Sequence, residues 1–178
     1  MFTLVVYESM YGNTRQLAEA IAAGARTGGE AETVPVSEVN PDGLEHVGLL
    51  VVGAPTHAWG LPRPSTRHAA ANDSKAGSPP LEPHAQDPGV RELLARLPEL
   101  ECPAAAFDTR LDAPAAFTGR AGRAIAKGLR RRGASLVDRP RSFLVGKQNT
   151  LRSGQLEQAR AWGERLVSQR EALVGKHH

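Results

Sequence analysis

The sequence predicts a three-layer α/β protein: an open, doubly wound, parallel sheet of five strands with helices on both faces. Three observations predict it. Five apolar runs alternate with segments of helical periodicity. The run "VGLLVVGAP" (47–55) is apolar throughout, as a parallel strand buried on both faces requires. Right-handed crossovers between such strands leave few other arrangements.

The elements follow in order. "FTLVVY" (2–7) is the first strand. Leu17, Ile21 and Ala25 then mark a helix over 13–26, stopped by Gly28-Gly29. "EAETVPV" (30–36) alternates weakly and carries a proline, so it belongs near a sheet edge. Strand three is 47–55. Residues 60–89 break the pattern: polar, rich in Pro, Ser, His, Asn and Gly and without periodicity, they read as a mobile lid, a disordered insert or a partner-binding loop. A short helix at 89–97 precedes the strand "CPAAAFD" (102–108). A fourth helix shows one face through Phe117, Ala121, Ala124, Ile125, Gly128 and Leu129 and closes at Gly133. A last strand within 134–145 and a long helix at 154–174 complete the chain.

Composition excludes several classes. The 178 residues suffice for one domain, 1–175, with a full core, and 40% of them are hydrophobic. Cys102 is alone, so no internal disulfide can form, which fits a reducing cytoplasm. No apolar run approaches bilayer length and no charged-then-apolar leader precedes the first strand, so neither a membrane span nor export is expected. A formal charge of +3 is too diffuse to imply nucleic acid. The histidines lack metal-ligand spacing. Residues 176–178, Lys-His-His, read as a tag remnant. "RRRG" (130–133) suits a helix end, and Cys102 suits core packing.

Doubly wound folds bind ligands beyond the carboxyl ends of their strands. The loops to inspect are 8–14, 54–60 and 107–116. In "ESMYGNT", a helix starting near Asn13 turns unpaired N–H groups towards the end of strand one. Gly12 permits positive φ or the close approach of an anion, and Ser9, Asn13 and Thr14 add donors. These make a phosphate cradle. The lysine of G-x-x-x-x-G-K-[ST] and the glycines of G-x-G-x-x-G are both missing, so the expected ligand is a single terminal phosphate rather than a triphosphate or a dinucleotide. The plainer alternative is that Asn13 or Ser9 only caps the helix.

"S-M-Y-G-N-T" after a first strand resembles the flavin mononucleotide (FMN) phosphate loop of the flavodoxin family, [T/S]-x-[T/x]-G-x-T, and the elements over about 2–174 are similar to the flavodoxin order 2-1-3-4-5. The resemblance implies FMN as cofactor, held at its phosphate by Ser9, Met10, Tyr11, Gly12, Asn13 and Thr14. It implies that "PTHAWG", Pro55, Thr56, His57, Ala58, Trp59 and Gly60, covers one face of the ring, with Trp59 or His57 stacking and Gly60 beside the flavin N5. It places Phe107, Asp108, Thr109 and Arg110 in a second ring loop, where Asp108 would accept from the flavin N3–H and the amides of 109–111 would face O2. Trp59 could instead be a packing residue or an anchor for the insert.

Two features depart from the family. The second ring loop carries no Tyr or Trp, which leaves one ring face open. Arg63, Arg67 and Arg110 lie in or beside the ring loops, where acidic residues are typical; cations there favour the reduced anionic flavin and a less negative potential, unless solvent screens them on a mobile insert. The expected function is that of an electron carrier serving redox partner proteins or a small-molecule acceptor. A quinone reductase using NAD(P)H and a scaffold that has lost the cofactor are the alternatives. A phosphoacceptor receiver domain shares the topology and would suit Lys147, but strand one offers only Glu8 and strand three ends Gly53-Ala54-Pro55. Nothing in the sequence sets an oligomeric state.

Overall fold

Val5, Val6, Val51 and Val52 are wholly withdrawn from solvent, because their strands lie in the middle of the sheet with helices on either side. The computed structural model describes residues 1–72 and 79–174. Its strands are β1 (Thr3–Tyr7), β2 (Ala31–Pro35), β3 (Leu49–Pro55), β4 (Ala104–Leu111) and β5 (Arg141–Val145). All four pairings are parallel, in the order β2-β1-β3-β4-β5, as the sequence led us to expect. The register sets Val5 opposite Thr33 and Val51, and Phe107 opposite Gly53 and Arg141. Proline ends β2, which is an edge strand.

Among the described residues five α-helices join these strands and a sixth follows β5: α1 (Asn13–Ala25), α2 (Pro64–Asn72), α3 (Val90–Arg96), α4 (Ala115–Thr118), α5 (Ala121–Arg131) and α6 (Gln155–Val174). One face of the sheet packs on α1 and α6, where Leu17, Ile21, Trp162 and Leu166 meet Val5, Val51 and Phe107. The other packs on α3 and α5, where Leu93, Ile125 and Leu129 meet Leu4, Val6, Leu50 and Val52. Phe107, Phe143 and Trp162 form an edge-on triad with centroids 6.1, 6.2 and 6.3 Å apart. Among the described residues, no helix is long and apolar enough to cross a membrane.

Three local expectations are corrected. β4 does not end at 108 but runs to Leu111, because Thr109, Arg110 and Leu111 continue to pair with Phe143, Leu144 and Val145. Phe117 does not lie on the buried face of the fourth helix: Gly119, at φ 73°, separates a four-residue α4 from α5, and Phe117 is left 74% exposed. The 60–89 segment is not structureless, since Pro64 opens α2 and the helix-forming Ala69-Ala70-Ala71 run continues it. Residues 73–78 of that segment, and 176–178, lie outside the described residues. Cys102 sits just before β4, half-buried, with its thiol pushed up by burial.

Candidate functional site

The turn after β1 is built around Gly12. Its φ of 85° is a left-handed conformation that other residues adopt only under strain. Its N–H donates to Ser9 Oγ at 3.1 Å, and its carbonyl accepts the first helical bond, from Gln16 N–H at 3.0 Å. Gly12 is thus the N-cap of α1, and no side chain caps the helix. The plainer alternative, capping by Asn13 or Ser9, is therefore not what the turn does. Asn13 Nδ2 donates to the Asn149 carbonyl at 2.8 Å, and the hydroxyls of Thr14 and Thr109 lie 3.2 Å apart, so the two side chains tie the helix end to the loop after β5 and to β4. Tyr11 donates its hydroxyl to the Ala70 carbonyl at 2.7 Å, which fastens the turn to α2. Met10 is buried, and its carbonyl accepts from Glu82 N–H at 2.8 Å. The Glu82 carboxylate lies beside Gly12 and accepts from Arg15 Nε at 3.2 Å.

The turn after β3 is a tight hairpin. His57 and Gly60 exchange both backbone bonds, at 2.8 and 2.9 Å, with Ala58 at φ 44° and Trp59 at φ 66° between them. Two non-glycine residues in this conformation store strain of roughly 1–3 kcal/mol each. The turn is pinned from outside, for Trp59 bridges Gly119, where a Cβ would collide with the Trp59 backbone. Trp59 itself is 67% exposed. Thr56 accepts from Ala121 N–H at 3.1 Å, holding the start of α5. Gly60 has both its N–H and its carbonyl engaged with His57 inside the hairpin.

β4 supplies Thr109 and Arg110 from the strand itself. Arg110 donates to the Ala113 carbonyl at 2.6 Å and the Leu111 carbonyl at 3.3 Å, stapling the following loop. Two expected ligands turn elsewhere. Phe107 is fully buried on the α1/α6 face, and Asp108 is 1% exposed on the other, accepting from Gly122 N–H at 2.7 Å. Burial pushes the Asp108 carboxyl up. The backbone of 109–111 lies within the β4–β5 ladder.

Arg67 also leaves the expected set. It is buried between Glu8, at 3.3 Å, and Glu92, at 3.2 Å, so its charge is matched twice over. Burial pushes Glu8 up, against a hydrogen bond from Val90 N–H and the pairing with Arg67. Burial opposes Glu92 as well, yet Arg67 and the Gly89 N–H hold it below the ordinary range. His57 is held below its ordinary value, first by burial and then by Arg67, so its imidazole is neutral at pH 7.

A cleft of about 420 Å³ opens where these turns converge. Ser9, Met10, Tyr11, Asn13 and Thr14 line it from the first turn, and Pro55, Thr56 and His57 from the second. Thr109 and Arg110 line it from β4. Ala58, Trp59, Gly60, Phe107 and Asp108 do not, and Gly12 closes the turn behind it. Leu111, within the 109–111 stretch expected near the ring, lines it too, and Ala70, Val145, Lys147 and Asn149 are lining residues the sequence did not announce. The last three follow from topology, since they stand at the carboxyl end of β5 beside the same sheet edge. A larger cleft of about 810 Å³ lies at the amino ends of β3 and β4, around Asp42, Glu99, Glu101 and Cys102. It is larger but lacks the amide-rich helix end, so the chemistry of an anion site belongs to the smaller one.

Comparisons with known proteins agree with this architecture. The sequence matches the family described as Flavodoxin over residues 5–162. A flavodoxin from the domain Archaea is 20% identical, with a TM-score of 0.64 over 96% of this chain and 99% of that one. Oxidised flavodoxin 2 from Bacillus cereus is 18% identical, with a TM-score of 0.66 over 95% of this chain and 99% of that one. The flavodiiron protein from Giardia intestinalis is 25% identical, with a TM-score of 0.63 over 98% of this chain but only 37% of its own. No curated protein sequence matches the chain significantly. The family match, with the 2-1-3-4-5 sheet and the glycine turn after β1, makes this chain a member of the flavodoxin family.

Proposed function

We propose that this chain holds one FMN noncovalently and passes electrons to a redox partner protein or a small-molecule acceptor. One observation carries the reading: the cleft is lined by the start of a thirteen-residue helix with no side-chain cap, behind a glycine at φ 85°. The residues fit a monoester phosphate. The N–H groups of the first turn have no intrahelical partner, and the hydroxyls of Ser9 and Thr14 stand beside them. When bound, the flavin supplies one- and two-electron transfer.

The chain's own groups would orient that cofactor and set its charge environment. The 57–60 hairpin offers Trp59 or His57 to a ring face, and an aromatic ring would cover part of the exposed indole. His57 brings no positive charge at neutral pH, and Arg67 is neutralised by its two carboxylates. Lys147 and Arg110 are the cations lining the cleft, and neither makes an ion pair among the described residues; Arg110 is engaged with the Leu111 and Ala113 carbonyls. Phe107 and Asp108 serve the core and α5 instead of the ligand. A single domain in the cytoplasm completes the reading, consistent with one cysteine and no disulfide.

Titration of the protein with FMN, followed by quenching of flavin fluorescence, tests the proposal: saturation at one equivalent in the micromolar range or below supports it. Absence of binding leaves a family member that has lost its cofactor. Steady-state oxidation of NAD(P)H with added quinone would mark a reductase, and a carrier would show none.

A further inference from the structure

We propose that the cleft face docks an acidic electron-transfer protein, with Phe117 at the apolar centre of the contact and Arg63, Arg120 and Arg123 around it. The proposal rests on the electron-carrier reading above and adds the chemistry of the partner.

Charge on this face is mostly positive, and Glu82, beside Gly12, is paired with Arg15. Residues 54–72 contain no Asp or Glu, and neither do 145–155. Between 109 and 123 stands only Asp112, which is held by Arg152 at 2.8 Å. Arg63, Arg120 and Arg123 are exposed, and among the described residues none has an ion-pair partner. Arg120 and Arg123 stand at the start of α5, where the helix dipole repels cations, so helix stability does not explain them. The larger cleft at the opposite end of the sheet mixes both signs, with Asp42, Glu45, Glu99 and Glu101 beside Arg170. A locally positive face orients an encounter before contact.

The same face carries the apolar surface such an encounter needs. Among the described residues the exposed large apolar side chains are Met1, Trp59, Leu111, Phe117 and Leu156, and three of the five border the cleft turns. Single exposed apolar residues are ordinary, but a group rimmed by charge marks an interface. Phe117 is not raised by accident. Arg110 fixes the Ala113 carbonyl beneath it, and Phe117 N–H donates to the Pro114 carbonyl at 2.9 Å. A second copy of this chain would meet like charge here. Carboxylates surrounding an exposed redox centre would meet the opposite charge.

Binding to an acidic [2Fe–2S] ferredoxin, used as the probe, tests this by biolayer interferometry on the full chain, with basic cytochrome c and duplex DNA as controls. The expected result is ferredoxin binding that weakens about tenfold or more as salt rises from roughly 20 to 200 mM. The triple variant R63E/R120E/R123E should lose about tenfold or more, and Phe117→Ser should weaken binding without changing its salt dependence. Circular dichroism and FMN affinity of both variants should match the parent. Ferredoxin binding that is absent, or indifferent to charge reversal, overturns the proposal. So does tighter binding of cytochrome c or of DNA. The assay needs no flavin, so loss of the FMN reading would register separately, in the fluorescence titration.

Discussion

Arg67 NH1 and Glu8 Oε1 meet at 3.3 Å, with 3% of either side chain exposed. This pair fastens α2 to the end of β1, and Glu92 adds the second carboxylate. A cation that the sequence placed among free charges near the ligand is therefore a bolt inside the fold. Arg67→Met is expected to cost about 3–5 kcal/mol, because it strands a buried carboxylate. Urea denaturation checks the loss; a change below about 1 kcal/mol would contradict the buried role.

His57 sets a pH dependence. Its folded value lies below the ordinary 6.5, so its contribution to stability is fully present above that value. The contribution is lost as pH falls from there through the folded value, where the half-buried ring must charge beside Arg67. His57→Gln is expected to flatten the stability–pH curve in that window. Thermal melts across pH 5–8 would show it, and an unchanged slope would contradict the partial desolvation of His57.

Gly12 is held by both conformation and space. A Cβ there would stand 2.9 Å from Glu82 Oε1 and would require φ 85° of an L side chain. Gly12→Val is expected to lower stability by about 1–3 kcal/mol and to weaken FMN binding at least tenfold. Chemical denaturation and flavin fluorescence read the two effects independently.

Lys147 is expected to tune the bound flavin. Removing one ammonium from the cleft rim should make the flavin potential more negative by on the order of 1 kcal/mol, about 40 mV for one electron. Anaerobic potentiometry of Lys147→Gln would detect it, and a shift of opposite sign would contradict the charge reading. Arg67→Met should move the potential less, since Glu8 and Glu92 already screen that charge.

The sheet was legible because it rests on local patterns. The apolar run 47–55 contains β3, and the proline of 30–36 marked an edge strand. The glycine turn was legible for the same reason, since glycine is the residue that meets φ 85° after β1 without strain. What failed was non-local. Nothing near Arg67 in the chain announces Glu8, fifty-nine residues away. α2 was hidden because its only buried residue is an arginine, so no apolar stripe marks it. The assignment of Phe107 to the ligand overlooked strand alternation: Ala105 and Phe107 share one face, which packs on α6. Phe117 matched a helical spacing by coincidence, and Gly119 broke the helix behind it.

The phosphate turn bears most of the functional reading, and comparing FMN with riboflavin on the same protein isolates it. The two ligands share the ring and differ in the monoester. FMN is expected to bind at one equivalent and about 100-fold or more tighter than riboflavin, the gap expected when several N–H groups and two hydroxyls meet an anion. Equal affinities, or no retention of FMN, would contradict a phosphate site at Gly12.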